Sequence, residues 1–189
     1  VLDRLGLLSP KPEKLPEKRT KPRILSLDIE TAPMLAYIWS LWQQGVGLNM
    51  LQKDWYIISW AAKWVGEQGI FYQDIRETVG KEEDASILPD LWELLNEADM
   101  VLTQNGKKFD IKKINSRFLS AGMRPPRPYK HVDILQINKR VFGHTSNKLE
   151  YIAEKFNIEF KKLKHKNFPG FELWEACLAF FPEEIWIIL

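Results

Sequence analysis

The order of patterned segments predicts an α/β fold, a mixed sheet with helices on its faces. Three observations carry it. Runs rich in β-branched and aromatic residues come first, at residues 24–31, 56–65 and 70–73. Apolar stripes at helical spacing then alternate with short apolar strands. Glycine- and proline-containing turns separate the segments. A length of 189 residues with 45% apolar and 28% charged residues suffices for one domain with a proper core.

The first strand runs from Ile24 to Thr31. Residues 32–53 are less regular, with a helix allowed through Met34–Trp39 and a break near Gly45 and Gly47. A second strand spans Tyr56–Val65, a turn follows at Gly66–Gly69, and Ile70–Gln73 returns as the third strand of a meander. Between Asp84 and Ala98, Ile87, Leu88, Leu91, Leu94 and Leu95 recur at helical spacing, with Pro89 in a tolerated first-turn position. Met100–Thr103 is a short buried strand. Ile111, Ile114, Phe118 and Leu119 mark a helix that stops at Gly122. A strand at Tyr129–Asp133 leads into a helix through about Phe142. Asn147, with Glu150 three residues on, is placed to cap a further helix whose stripe is Leu149, Ile152, Ala153 and Phe156.

Residues 1–23 form a separate region. Pro10, Pro12, Pro16 and Pro22 among Lys11, Lys14, Lys18, Arg19 and Lys21 oppose helix and sheet pairing, which predicts an extended basic arm or linker. Residues 24–189 are the folded domain. The chain starts at Val1 and stops on the apolar run Ile185–Leu189, so it reads as cut short, with its C-terminal helix incomplete. No apolar run is long enough to span a membrane. The single cysteine, Cys177, lies in a helix-like stretch and reads as a core thiol, which fits a cytoplasmic protein. A net charge of +2 does not by itself argue for nucleic acid, so any basic surface must be local.

The chemistry lies in the first strand. Side chains alternate along a strand, so Asp28 and Glu30 share a face while Leu25, Leu27 and Ile29 share the other. Two carboxylates side by side repel unless a cation sits between them, and oxygen ligands suit Mg²⁺ or Mn²⁺. The structural alternative is a strand end running into solvent with both acids hydrated. A second acidic site is Asp110, after Gln104-Asn105-Gly106 and near a helix start. An acid in a first turn also complements the helix dipole. If the two strands are neighbours, Asp110 falls beside the acidic pair.

The motif Asp28-Ile29-Glu30-Thr31 resembles the first motif of the DnaQ-like (DEDD) 3′–5′ exonucleases, and Asn105-Gly106-Lys107-Lys108-Phe109-Asp110 resembles their second. The stretch from Asp133 to Phe156 is similar to the one preceding their third motif. The similarity covers about residues 24–177 and is nearest to predicted phage and bacterial exonucleases. It implies a ribonuclease-H-like fold and hydrolysis of single-stranded DNA or RNA ends with two Mg²⁺ or Mn²⁺ ions. Asp28 would bridge the ions, Glu30 would hold the first and Asp110 would support the second. Thr31 and Asn105 would approach the terminal nucleotide, and Lys162 and Lys164, in the basic run Lys161–Lys166, its phosphate backbone. Trp39 or Trp42 could stack on a base, the alternative being core packing. The chain departs from the family in one respect: no Asp follows Asp133, so the fourth acid of the third motif is missing.

Three rival expectations stand beside an exonuclease. One is a nucleic-acid-binding module that keeps the fold without cutting. Another is an endonuclease or junction resolvase. The third is a proofreading domain of a larger polymerase or replication assembly, with the proline-rich arm as its linker. Asp133 at a strand-to-helix junction reads as a cap, and His131, His144 and His165 lack metal-ligand spacing.

Overall fold

A computed structural model describes residues 21–42, 45–78, 84–159, 166–168 and 170–179. Residues 1–20 of the expected arm (1–23), residues 161–165 of the basic run with Lys162 and Lys164, and the terminal apolar run lie outside the described residues.

The main sheet has five strands. β1 (Ile24–Thr31) is its centre. Two short strands, β2 (Leu35–Ala36) and β3 (Leu51–Lys53), pair antiparallel with each other in a separate small sheet. β4 (Ile57–Trp64) and β5 (Phe71–Asp74) return to the main sheet, followed by helix α1 (Leu88–Glu97), β6 (Met100–Thr103), α2 (Asp110–Ser120), β7 (Lys130–Asp133), α3 (Ile134–Val141), α4 (Leu149–Lys155) and α5 (Phe171–Leu178). The order across the sheet is β5-β4-β1-β6-β7. β1, β4 and β5 form an antiparallel meander, while β6 and β7 add in parallel on the other side. Parallel neighbours need crossovers, and α1 and α2 precede β6 and β7 in that role. The expected α/β mixed sheet is the fold observed.

The core follows from strand alternation. Leu25, Leu27 and Ile29 of β1 are buried with Val101 of β6, Ile58, Trp60, Ala62 and Trp64 of β4, Leu88, Leu91 and Leu95 of α1, and Ile114 and Phe118 of α2. Trp60 satisfies its indole by donating Nε1–H to the carbonyl of Ile87 at 2.7 Å. Pro89 sits in the first turn of α1, where its missing N–H costs nothing. Cys177 packs in the same core on α5. Burial, then the charge of Asp74, push its thiol up to about 11, so it is an inert core residue.

Two expectations are corrected. Residues 34–39 form no helix. The backbone runs through β2, and Tyr37 N donates to Met50 O at 3.0 Å. An uncharged apolar stretch lacks a packing face here, and strand pairing with residues 51–53 satisfies its backbone instead. Asn147 does not cap α4. Lys148 is the N-cap residue without a side-chain bond, and of the expected stripe only Ile152 is fully buried, with Leu149 and Phe156 exposed. Among the described residues, no helix is long and apolar enough to cross a membrane.

A buried carboxylate ties the antiparallel and parallel halves together. Asp84 is 0% exposed. Its Oδ2 accepts from Ile57 N at 2.8 Å and Arg117 Nε at 2.7 Å, and its Oδ1 accepts from Arg117 Nη2 at 2.8 Å. The start of β4 is thereby joined to the end of α2. Asp84→Ala leaves a buried N–H and a guanidinium without acceptors, so it should lower stability by ~3 kcal/mol in urea unfolding at pH 7. A loss below ~0.5 kcal/mol would mean that the clamp is dispensable.

Candidate active site

The two acids of β1 occupy the solvent side of the strand. Asp28 is exposed and Glu30 half-buried, while Leu27 and Ile29 on the opposite face are buried. Across the antiparallel pair Asp28 faces Ala61 and Glu30 faces Ser59. The register then shifts, because Thr31 pairs with Ile57 and leaves Ile58 extra on β4. A bulge of this kind bends the strand and re-aims the side chains at its end.

Asp110 arrives from the neighbouring strand. β6 pairs parallel to β1, with Leu25 opposite Val101 and Ser26 opposite Leu102, so the C-terminal ends of both strands emerge at the same rim. The chain must then turn sharply into α2. Asn105 adopts a left-handed conformation, φ 69°, and its carbonyl accepts from Lys108 N and Phe109 N. Gly106 packs so closely on β6 that a Cβ there would lie 2.2 Å from Thr103 Oγ1. Only glycine fits that approach. The turn delivers Asp110 as the first residue of α2, 2% exposed. Its Oδ1 accepts from Ile29 N at 3.3 Å, between the two β1 acids.

Asp28 and Asp110 therefore meet. Burial raises the Asp110 carboxyl from 3.8 to about 6, and Asp28 contributes to the rise through its charge and by hydrogen bonding to the protonated form. Bonds from backbone N–H groups, including Ile29, pull in the other direction without cancelling the rise.

The other sequence-predicted residues divide. Thr31 ends β1 at the bulge, half-buried, and Asn105 forms the turn before Asp110. Lys162 and Lys164 are outside the described residues. Trp39 and Trp42 are 94% and 81% exposed, which removes core packing as their role. Asp133 is a cap, as its junction predicts: its Oδ1 accepts from Leu135 N at 3.1 Å. It also does something the sequence did not signal. Oδ1 accepts from Asn105 N at 2.9 Å and Oδ2 from Lys107 N at 3.1 Å, so β7 holds the turn that carries Asp110.

Sequence reasoning also missed Gln104. Gln104 directly follows the end of β6, in the segment that leads to the Asn105 turn. Its Nε2 donates to Asn147 O at 3.2 Å, which leaves Oε1 buried without a hydrogen-bond partner. The only signal in the sequence was its position directly after a strand end.

Asp28 and Asp110 supply adjacent oxygen donors whose mutual repulsion a hard cation would relieve, so this pair fits Mg²⁺ or Mn²⁺. Glu30 is on the same face two residues along, yet among the described residues no group of three His, Cys, Asp or Glu is drawn close enough to hold a metal ion. Of the three expected acids, two come together.

The raised Asp110 carboxyl has a stability consequence. Its folded value of about 6 exceeds the ordinary 3.8, so the folded state binds this proton more tightly than the unfolded chain. The associated stabilisation is full below about pH 4 and is lost as pH rises through about 6. Asn keeps the acceptor for Ile29 N without the charge. In chelator at pH 7, Asp110→Asn should therefore raise stability by ~1–3 kcal/mol, and the gain should vanish near pH 4. A thermal-melting series over that range checks this. A destabilised variant at pH 7 would contradict the repulsion.

Comparisons with known proteins agree with the architecture. The family B DNA polymerase from the hyperthermophilic archaeon Pyrobaculum calidifontis has a similar fold, with a TM-score of 0.57 and 14% sequence identity over 82% of this chain. The match takes in 21% of the polymerase, so this chain spans about a fifth of its length. No curated protein matches. A family model described as RNase_H superfamily covers residues 45–176, a range that includes Asp110 and begins beyond β1. With most of its length matched and the mixed five-stranded sheet in place, the chain belongs to the RNase_H superfamily.

Proposed function

We propose that this chain is a metal-dependent 3′–5′ exonuclease of the DnaQ-like (DEDD) branch, acting on the ends of single-stranded DNA or RNA. The single observation that supports it most is the meeting of Asp28 with a buried Asp110 brought from a different strand. Two acids from distant parts of a sequence have no structural reason to be pressed together at a sheet rim, since the Asp28 charge opposes ionisation of the buried Asp110.

Asp28, Glu30 and Asp110 are the residues that would hold Mg²⁺ or Mn²⁺. The chemistry such ions supply is a water of lowered pKa and positive charge opposite the leaving 3′ oxygen. The chain's own contribution is placement. The bond from Ile29 N fixes one Asp110 oxygen, and the carboxyl is held close to Asp28. The bulge at Glu30 and Thr31 aims the strand end at the incoming nucleotide, and the Asn105 turn lies beside it. Trp39 and Trp42, both exposed, offer faces for stacking on unpaired bases.

A second reading is a module on the same fold that binds nucleic acid without cutting. The lack of a three-ligand cluster among the described residues favours it. Similarity to part of a polymerase also supports a place beside a polymerase as a proofreading unit.

With Mg²⁺ or Mn²⁺, labelled single-stranded DNA or RNA should be shortened stepwise from the 3′ end, releasing mononucleotides, and chelation should stop it. Asp28→Ala should slow the reaction ~100-fold or more, equivalent to ~3 kcal/mol of barrier. Tight binding with no shortening would establish the non-cutting module instead. Internal products would point to an endonuclease.

A further inference from the structure

Two strands away from Asp28, the same rim of the sheet carries a cavity of about 270 Å³. It is lined by Lys107 from the turn before α2, by His131, Val132 and Asp133 of β7, and by Gln136, Ile137 and Arg140 of α3. β1, β6 and β7 are parallel neighbours in that order, so β7 lies about 10 Å from β1. Ligands of open α/β sheets bind outside the carboxyl ends of such strands.

The charges of this cavity favour an anion. Lys107 and Arg140 come from different elements, both are exposed, and among the described residues neither makes a salt bridge. Asp133 is the acid in the lining, but its two oxygens already accept three backbone N–H groups, from Asn105, Lys107 and Leu135. Its oxygens are thereby occupied, and Lys107 with Arg140 outnumber this single carboxylate in the lining. Burial lowers the pKa of His131, with Asp133 opposing the fall and Lys107 adding to it. Its Nε2 is occupied by Thr103 Oγ1 at 2.8 Å. Two cations with no side-chain counter-charge of their own, around a space open to solvent, suit a phosphate group.

We propose that this cavity binds a backbone phosphate of the strand whose end lies at Asp28 and Asp110, an inference that rests on the nucleic-acid reading above. The strand would run along the rim from the acids, across the Asn105 turn, to Lys107 and Arg140. A free phosphate anion shares the chemistry but has no need of a second binding point on the same rim.

The test measures binding of a short labelled oligothymidine in chelator, where no cutting occurs, across a range of salt. The double variant Lys107→Gln/Arg140→Gln should bind ~10-fold more weakly, and its salt slope should fall by ~0.7 for each phosphate that is no longer neutralised. Lys107→Arg/Arg140→Lys should retain binding. The charge-matched pair Arg124→Gln/Lys130→Gln, near the opposite end of β7, should change it less than ~2-fold. Unchanged affinity and slope in the first double variant overturns the proposal. So does inorganic phosphate saturating the cavity at the affinity of the strand, which would make it a free-anion site. Failure of the nuclease reading looks different: the unaltered chain would not shorten any strand with either ion, whatever the double variant binds.

Discussion

A hydrogen bond from the backbone of Ile29 to the carboxyl of Asp110 is the contact on which the site depends. It ties the start of α2 to the middle of the two-acid segment of β1. Without it, Asp110 would be a helix-start acid free to turn toward solvent and complement the helix dipole. With it, the carboxyl is buried against Asp28. The bond can form because β6 runs parallel to β1 in a register that brings both strand ends to one rim. It also needs a turn tight enough to reverse the chain within a few residues. Asn105 in a left-handed conformation and Gly106 packed on Thr103 make that turn, and Asp133 holds it from the far side.

The rim so assembled has two electrostatic characters. At its centre Asp28 and Asp110 compete for one region of space, and the buried member takes up a proton more readily than an ordinary carboxyl. This is a locally unfavourable arrangement, of the sort that persists where the surrounding structure over-determines it. At its edge Lys107 and Arg140 line a cavity beside a carboxylate whose oxygens accept three backbone N–H groups. Acid thus lies at the centre of the rim and cation at its edge. Asp84 shows the contrasting case. It too is a buried acid, but Arg117 and Ile57 N satisfy it, and its role is to hold β4 to α2.

Much of the fold was legible because it rests on periodicity. β1 and β6 fall on the residues that alternation and apolar runs indicate, and α1 and α2 follow their buried stripes. The segment at 34–39 and the start of α4 were misread for related reasons. Both have apolar residues or a capping pattern without a partner surface, and local preference then does not decide the conformation. Trp39 and Trp42 illustrate the same limit, since a tryptophan in sequence looks identical whether it fills a core or stands 94% or 81% exposed.

The sequence by itself determined that Asp28 and Glu30 share one face of a strand and that Asp110 follows a glycine turn. Alternation and turn chemistry are local properties, so a single segment suffices to read them. Only the tertiary structure decided that Asp110 meets Asp28 rather than solvent, and that Asp133 serves the turn of another strand. Those outcomes depend on strand order and register, which are set by how the whole apolar surface packs and are written in no one segment.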